Sequence, residues 1–381
     1  MVLRRKFKTA WGIAQSYLRG WCTRRKIVVL ESDDWGNIRT PSREVYDRLS
    51  AEGYDLGRSH HSLDALETDE DLDRLFEVLG SVRDACGRPA CMTPYIILAN
   101  PDFEQIRRAE FQKYFYEPVT ETLARSDRRQ GVLRRWTEGR QRQVFIPQLH
   151  AREHVAWWRW LEALRVGSVE AHQTFEMGMC GLPLAVSKEK RSYDGPIYVG
   201  DEELRRYGVD VEMMVREGVD LFVAQLGYAP LSVTAPNYQW TAHVERIWRA
   251  AGVRYIHGAM FQHLGGGRRR IHYLGQASPS GCYYLIRNCF FEPAAKRGDV
   301  VGDCLREVAR AFRWHKPAVI GTHRYNYVGA IDPANRASGL RQLSDLLQAI
   351  CRRWPNVRFL SSPELGRMIE GGVEVDEGLD S

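Results

Sequence analysis

Ile27-Val28-Val29-Leu30-Glu31-Ser32-Asp33-Asp34-Trp35-Gly36 is the stretch on which the fold turns. Its run of Ile, Val, Val and Leu reads as a strand buried on both faces, and such strands belong to parallel sheets covered by helices. The run stops at two adjacent carboxylates and a glycine. Like charges at close range raise each other's pKa and burial raises both, so bare aspartates here are costly and a nearby cation would resolve the conflict. One aspartate would then ligate the ion while the other takes a proton from water. The alternative is an Asp-rich turn before a glycine.

Outward from this strand, apolar runs alternate with helix-period stretches, the pattern of βα units around a parallel sheet or barrel. The runs Cys91 to Leu98, Val144 to Leu149, Leu221 to Leu226, Val253 to His257, Val319 to His323 and Val357 to Leu360 are the other expected strands. Helices are expected over Asp69 to Asp84, His154 to Leu164, Asp201 to Glu217, Val244 to Ala251, Asp303 to Phe312 and Ser338 to Arg353. The pattern predicts one barrel-like α/β domain of about seven parallel strands over residues 26–369, after a basic segment 1–25 and before an acidic tail 370–381.

Barrel active sites collect where strands end, and two more expected strands end in histidines. His150-Ala151-Arg152-Glu153-His154 follows one of them and spaces two imidazoles to share a helix face and meet one ion. Two imidazoles, one carboxylate and an open position suit zinc. The bland reading is a pair of surface or capping histidines. His323, after Val319 to Thr322, is placed to give a proton to a departing amine, or is a core histidine satisfied by its neighbours. Ala235-Pro236-Asn237-Tyr238-Gln239-Trp240 is a turn whose aromatic faces suit stacking on a sugar, or packing. The spacing of His60, His61, His172 and His257 gives them no role.

Composition bounds the partners. With 44% hydrophobic and 27% charged residues, the chain is ordinary globular protein, and no apolar run approaches the ~18 residues of a membrane span. The net charge is +6, yet no nucleic-acid motif accompanies it, so nucleic acid is not the expected partner. Basic residues interleave with Trp11, Ile13, Tyr17, Leu18 and Trp21 in the first 26 residues, a texture suited to an anionic membrane surface, an acidic glycan or a helix packed on the domain. Gly265-Gly266-Gly267-Arg268-Arg269-Arg270 reads as a mobile basic loop, and Trp157, Trp158 and Trp160 form an aromatic stripe that either packs or stacks on sugar. The eight cysteines include no Cys-x-x-Cys pair, which excludes a zinc ribbon or dithiol redox motif. No secretory leader is read in the sequence, so reduced thiols and a cytoplasmic location, with peripheral membrane contact through the basic segment, are expected.

Together Asp33-Asp34, His150-x-x-x-His154 and His323 resemble the polysaccharide deacetylases of the NodB-homology type, over about Ile27 to Ile369. The resemblance implies a distorted (β/α) barrel that removes acetyl groups from an N-acetylated carbohydrate or glycan. It implies Asp33 as base, Asp34, His150 and His154 as ligands of a divalent metal such as zinc, and His323 as acid. Trp35, Tyr238, Asn237, Arg39 and Arg324 are the expected substrate contacts. The family's third motif carries an arginine that Ala235 to Tyr238 lacks, so Arg39 or Arg324 is expected to orient Asp33 instead. Asp-Asp-Trp-Gly is also similar to the Asp-Asp-Phe-Gly of YdjC-type sugar deacetylases, which run similar chemistry. The same site would also serve an O-acetyl esterase, and a catalytically silent glycan-binding barrel is the reading outside enzymes.

Overall fold

The structure, a computed structural model, describes residues 18–195, 198 and 200–371. The basic residues before Leu18 and the acidic tail from residue 372 lie outside them.

Nine strands make one parallel sheet: β1 (Lys26–Trp35), β2 (Met92–Ile97), β3 (Gln148–Ala151), β4 (Ser232–Thr234), β5 (Tyr255–Gly258), β6 (Tyr283–Ile286), β7 (Cys289–Phe290), β8 (Ala318–His323) and β9 (Val357–Phe359). Their order is β6-β5-β4-β3-β2-β1-β8-β7, and β9 pairs Lys26 to Val28 of β1. The hydrophobic stretch of β1 is buried from Ile27 onward, as its composition requires.

The sheet curls because the chain leaves no alternative. β6 lies at one edge and β7 at the other, yet only Arg287 and Asn288 separate them. Three residue steps span at most about 11 Å, so the two edges approach each other. The dipeptide is hydrogen-bonded to both sides: Arg287 N–H donates to Gly258 of β5 and Asn288 N–H to Val319 of β8. The result is a distorted (β/α) barrel whose seam is this dipeptide.

Two expected features change. Leu221 to Leu226 is not a strand but the end of the helix Val211–Leu226, capped by Asp210 at its start and by left-handed Gly227 at its end. A buried apolar run of strand length has no period that separates the two. β4, β6 and β7, two to four residues long, were not anticipated. The glycine-rich basic run is the turn of a small hairpin, Phe261–His263 with Arg269–Ile271.

Residues 18–25 continue into the domain: Lys316 Nζ donates to the carbonyls of Arg19, Gly20 and Trp21, which ties the entering chain to the barrel. Glu370 lies within the last helix, Ser362–Gly371, and pairs with Arg254. Among the described residues no helix is long and apolar enough to cross a membrane.

Candidate metal centre and proton-transfer groups

β1 breaks its regular pairing with β2 between Ser32 and Trp35. Within that irregularity Asp34 adopts φ 74°, a left-handed conformation that aspartate tolerates better than bulkier residues. On the other side of β1, Asp33 stays in register opposite His323 of β8. One bulge thus separates two adjacent carboxylates into two environments. Gly36 completes the turn at φ 82°, where a side chain would meet the Ile97 carbonyl at 2.4 Å.

Asp34, His150 and His154 converge, each offering one donor atom within 4.8 Å of the others. Asp34 Oδ1 lies 3.5 Å from His150 Nε2 and 3.8 Å from His154 Nε2. The histidines do not share a helix face as expected: His150 belongs to β3, and His154 lies in the loop before the helix Trp157–Arg165. His150 Nδ1 is 2.6 Å from the Thr234 carbonyl. A carbonyl can only accept, so the proton sits on Nδ1 and, in the neutral ring, the Nε2 lone pair faces Asp34. Burial pushes the His154 pKa down to about 4, which keeps it neutral and able to ligate.

A divalent ion fits the chemistry of these residues, because two imidazoles and a carboxylate form a donor set that leaves positions open.

Asp33 is held by Arg287, whose Nη1 and Nη2 donate to its two oxygens at 2.6 and 2.7 Å. The same guanidinium donates to Glu31 at 2.6 Å and to the Tyr238 hydroxyl at 3.0 Å. Burial would raise the Asp33 pKa, but the charge and hydrogen bonds of Arg287 outweigh it and hold the carboxyl below its usual range. Arg287 therefore occupies the orienting role expected of Arg39 or Arg324. Gly321 of β8 makes room for it: a Cβ there would sit 2.9 Å from Arg287 Cδ.

His323 Nδ1 lies 2.6 Å from Glu292, whose carboxylate also accepts from Tyr325 and Asn326 at 2.6 Å. Burial opposes protonation of His323, but the charge and hydrogen bond of Glu292 prevail and raise its pKa to about 9. The imidazolium is thus the resting form at neutral pH, with Nε2 free of that bond.

These groups line a cavity of about 170 Å³ together with Arg39, His61, Asp194, Asn237 and Tyr238. Tyr238 accepts from Arg287, which leaves its own proton to donate, and burial pushes its pKa up to about 12. Its backbone N–H is spent on Ala235, so any oxyanion contact comes from the hydroxyl. Asn237 is exposed at the mouth and donates to the Asp194 carbonyl at 2.8 Å.

Other expected contacts are placed elsewhere. Trp35 is fully buried against Phe145 and donates to Ser32, so it supports the bulge and cannot touch substrate. Arg324 is also fully buried, held by Asp64, Glu67 and the Asn37 carbonyl. Arg39 reaches the cavity, but its guanidinium is turned to Asp34, Asp64 and Asp194. Trp158 and Trp160 are core residues and Trp157 stacks on Tyr114, so the tryptophan stripe is packing. Arg287, Glu292 and Asp194 escaped the sequence reading, and His61, which it gave no role, lines the cavity. Arg287 directly follows Tyr283-Tyr284-Leu285-Ile286, a stretch the sequence reading did not mark as a strand.

No protein-family model and no curated protein matches the sequence. Solved structures match it in fold. A candidate glycoside hydrolase/deacetylase from Parabacteroides distasonis gives a TM-score of 0.51 at 10% identity, over 91% of this chain and 71% of that one. A candidate polysaccharide deacetylase from Mycobacterium smegmatis gives 0.43 at 11% identity, over 95% and 96%. A family 4 acetyl xylan esterase from Clostridium thermocellum, in complex with cobalt, gives 0.39 at 10% identity, over 92% and 94%. The first of these shares its fold with this chain.

Proposed function

We propose that the protein is a metal-dependent hydrolase that removes acetyl groups, N-linked ones foremost, from a carbohydrate. The observation that carries this reading is the placement of the Asp34–His150–His154 donor set between a carboxylate held by an arginine and an imidazole held by a glutamate. Asp34, His150 and His154 would hold the ion, zinc being the ion this donor set suits best. When bound, such an ion supplies Lewis acidity for the acyl carbonyl and the attacking water.

The chain's own groups do the rest. Asp33, kept ionised and aimed by Arg287, takes the proton of the water as it attacks. The Tyr238 hydroxyl donates toward the charge that develops on the acyl oxygen. His323, protonated through Glu292, passes its proton to the leaving nitrogen, which is too basic to depart as an anion. An imidazolium in this place meets the need of an amide nitrogen for a proton before it departs, a need that the leaving oxygen of an ester has to a smaller degree.

The test is elemental analysis of the wild type beside His150→Ala/His154→Ala, followed by acetate release from N-acetylated and O-acetylated sugars. One divalent ion per chain, lost in the double variant, with acetate released faster from the amide, is the expected result. An ion-free wild type after incubation with zinc or cobalt, or a protein that binds sugar and releases no acetate, would overturn the assignment.

A further inference from the structure

Beside the triad lies a second grouping, Asp34, His61 and Asp64, whose donor atoms also fall within 4.8 Å of one another. Its members are poorly satisfied. Asp64 is fully buried and its Oδ2 accepts no hydrogen bond, and the buried Nδ1 of His61 has no partner. Arg39 reaches both Asp34 and Asp64. Its Nη2 lies 3.4 Å from Asp34 Oδ2 and its Nε 3.4 Å from Asp64 Oδ2, while Nη1 pairs with Asp194 at 2.5 Å. The Nε makes no hydrogen bond although it is buried. Toward Asp64 the guanidinium therefore acts as a charge at a distance and toward Asp34 through one long hydrogen bond, not as the bidentate fork for which arginine is suited.

Asp34 is placed to serve both neighbours. Its Oδ1 faces His150 and His154, and its Oδ2 faces Arg39. An aspartate with one oxygen toward each of two cation positions is a bridging carboxylate, of the kind that two-ion hydrolytic centres use.

We infer that Asp34, His61 and Asp64 form a second divalent-cation locus, that Arg39 keeps it filled, and that this guanidinium restricts the chain to a single-ion centre. Arg39 is then a positioning residue: it orients Asp34 through charge and ties the Asp194 loop to the cavity, without touching the reacting atoms. The inference rests on the same cavity as the proposed activity but not on the activity itself.

The experiment is zinc content after equilibration with excess zinc and gel filtration, for the wild type, Arg39→Met, Arg39→Lys and Arg39→Met/His61→Ala. Arg39→Met is expected to hold one zinc more per chain than the wild type. Arg39→Lys, which restores a positive charge, and the double variant, which lacks the new ligand, are expected to return to the wild-type number. Equal zinc in Arg39→Met and wild type overturns the inference, as does an extra ion that persists without His61. Should Arg39→Met fold poorly without metal, zinc-dependent recovery of its thermal transition that requires His61 supports the inference, and no recovery at any zinc concentration refutes it. A wild type without zinc counts against the triad alone, because the second locus is read as the difference between variants.

Discussion

Asp33 and His323 face each other in register across β1 and β8, yet their neighbours drive them to opposite charges. Arg287 holds the carboxyl ionised, and Glu292 holds the imidazole protonated with its pKa at about 9. Asp33→Asn should keep its metal, since the substitution leaves Asp34 and both histidines in place, but lose about 10²–10⁴ in kcat. Normal turnover in that variant would remove Asp33 as the base. In a pH–rate profile, an acid with its pKa near 9 remains competent until the pH passes that value. Glu292→Gln takes away the charge responsible, so its alkaline limb should move toward ~6.5, the ordinary histidine value. An unmoved limb would assign that limb to another group. At this scale the sequence was readable where the chemistry is contiguous: Asp33-Asp34 and His150-x-x-x-His154 are local patterns. Arg287 and Glu292 were not, because each meets its partner only through the sheet, 254 residues from Asp33 in the first case and 31 from His323 in the second.

What brings Arg287 to Asp33 is a pair of short elements that the sequence did not mark as strands. β6 and β7 are four and two residues long, and the crossing between them carries the chain from one sheet edge to the other. The buried side chain then passes over Gly321 of β8, close enough that an added Cβ would press on Arg287 Cδ. Gly321→Val should therefore displace the guanidinium and cost kcat at least about tenfold, equivalent to ~1.4 kcal/mol. Arg287→Lys should cost a similar factor, since an ammonium cannot span both carboxylate oxygens. If Gly321→Val retained full turnover with Arg287→Lys impaired, the glycine would be a packing choice only. The longer elements explain why the barrel class was legible. β1, β2 and β8 are mostly buried strands of six or more residues, each with an apolar stretch such as Ile27 to Leu30, and the helix Asp69–Ser81 carries its Thr68–Asp71 capping box in the sequence itself. The helix Val211–Leu226 shows the opposite case, because its last six residues are apolar enough to pass for a buried strand and only the Asp210 and Gly227 caps mark it as helix.

For the molecule as a whole, the buried charges that hold Asp33 and His323 also tie stability to pH. Glu31 is fully buried beneath the site, where it meets Arg287, His257 and Ser362. Burial alone would raise its pKa, but His257 and Arg287 outweigh burial and lower it from the ordinary 4.5 to about 2. A carboxyl lowered by folding stabilises the native state above its unfolded pKa, and that stabilisation is lost as the pH falls through the folded value. The Glu31 contribution is thus whole above 4.5 and gone once the pH has fallen through about 2. His323 has the opposite sign. Its pKa rises on folding from 6.5 to about 9, so its contribution is whole below 6.5 and is lost as the pH rises through about 9. The two windows overlap between 4.5 and 6.5, where both contributions are whole. From these two groups, thermal unfolding followed across pH should show Tm falling as the pH drops below 4.5 and falling as it rises above 6.5. Glu292→Gln should flatten the alkaline side and leave the acid side sloping, because it removes the charge that raises His323 and does not touch Glu31. An alkaline slope that survives in Glu292→Gln would show that the loss of stability above pH 6.5 comes from groups other than this pair.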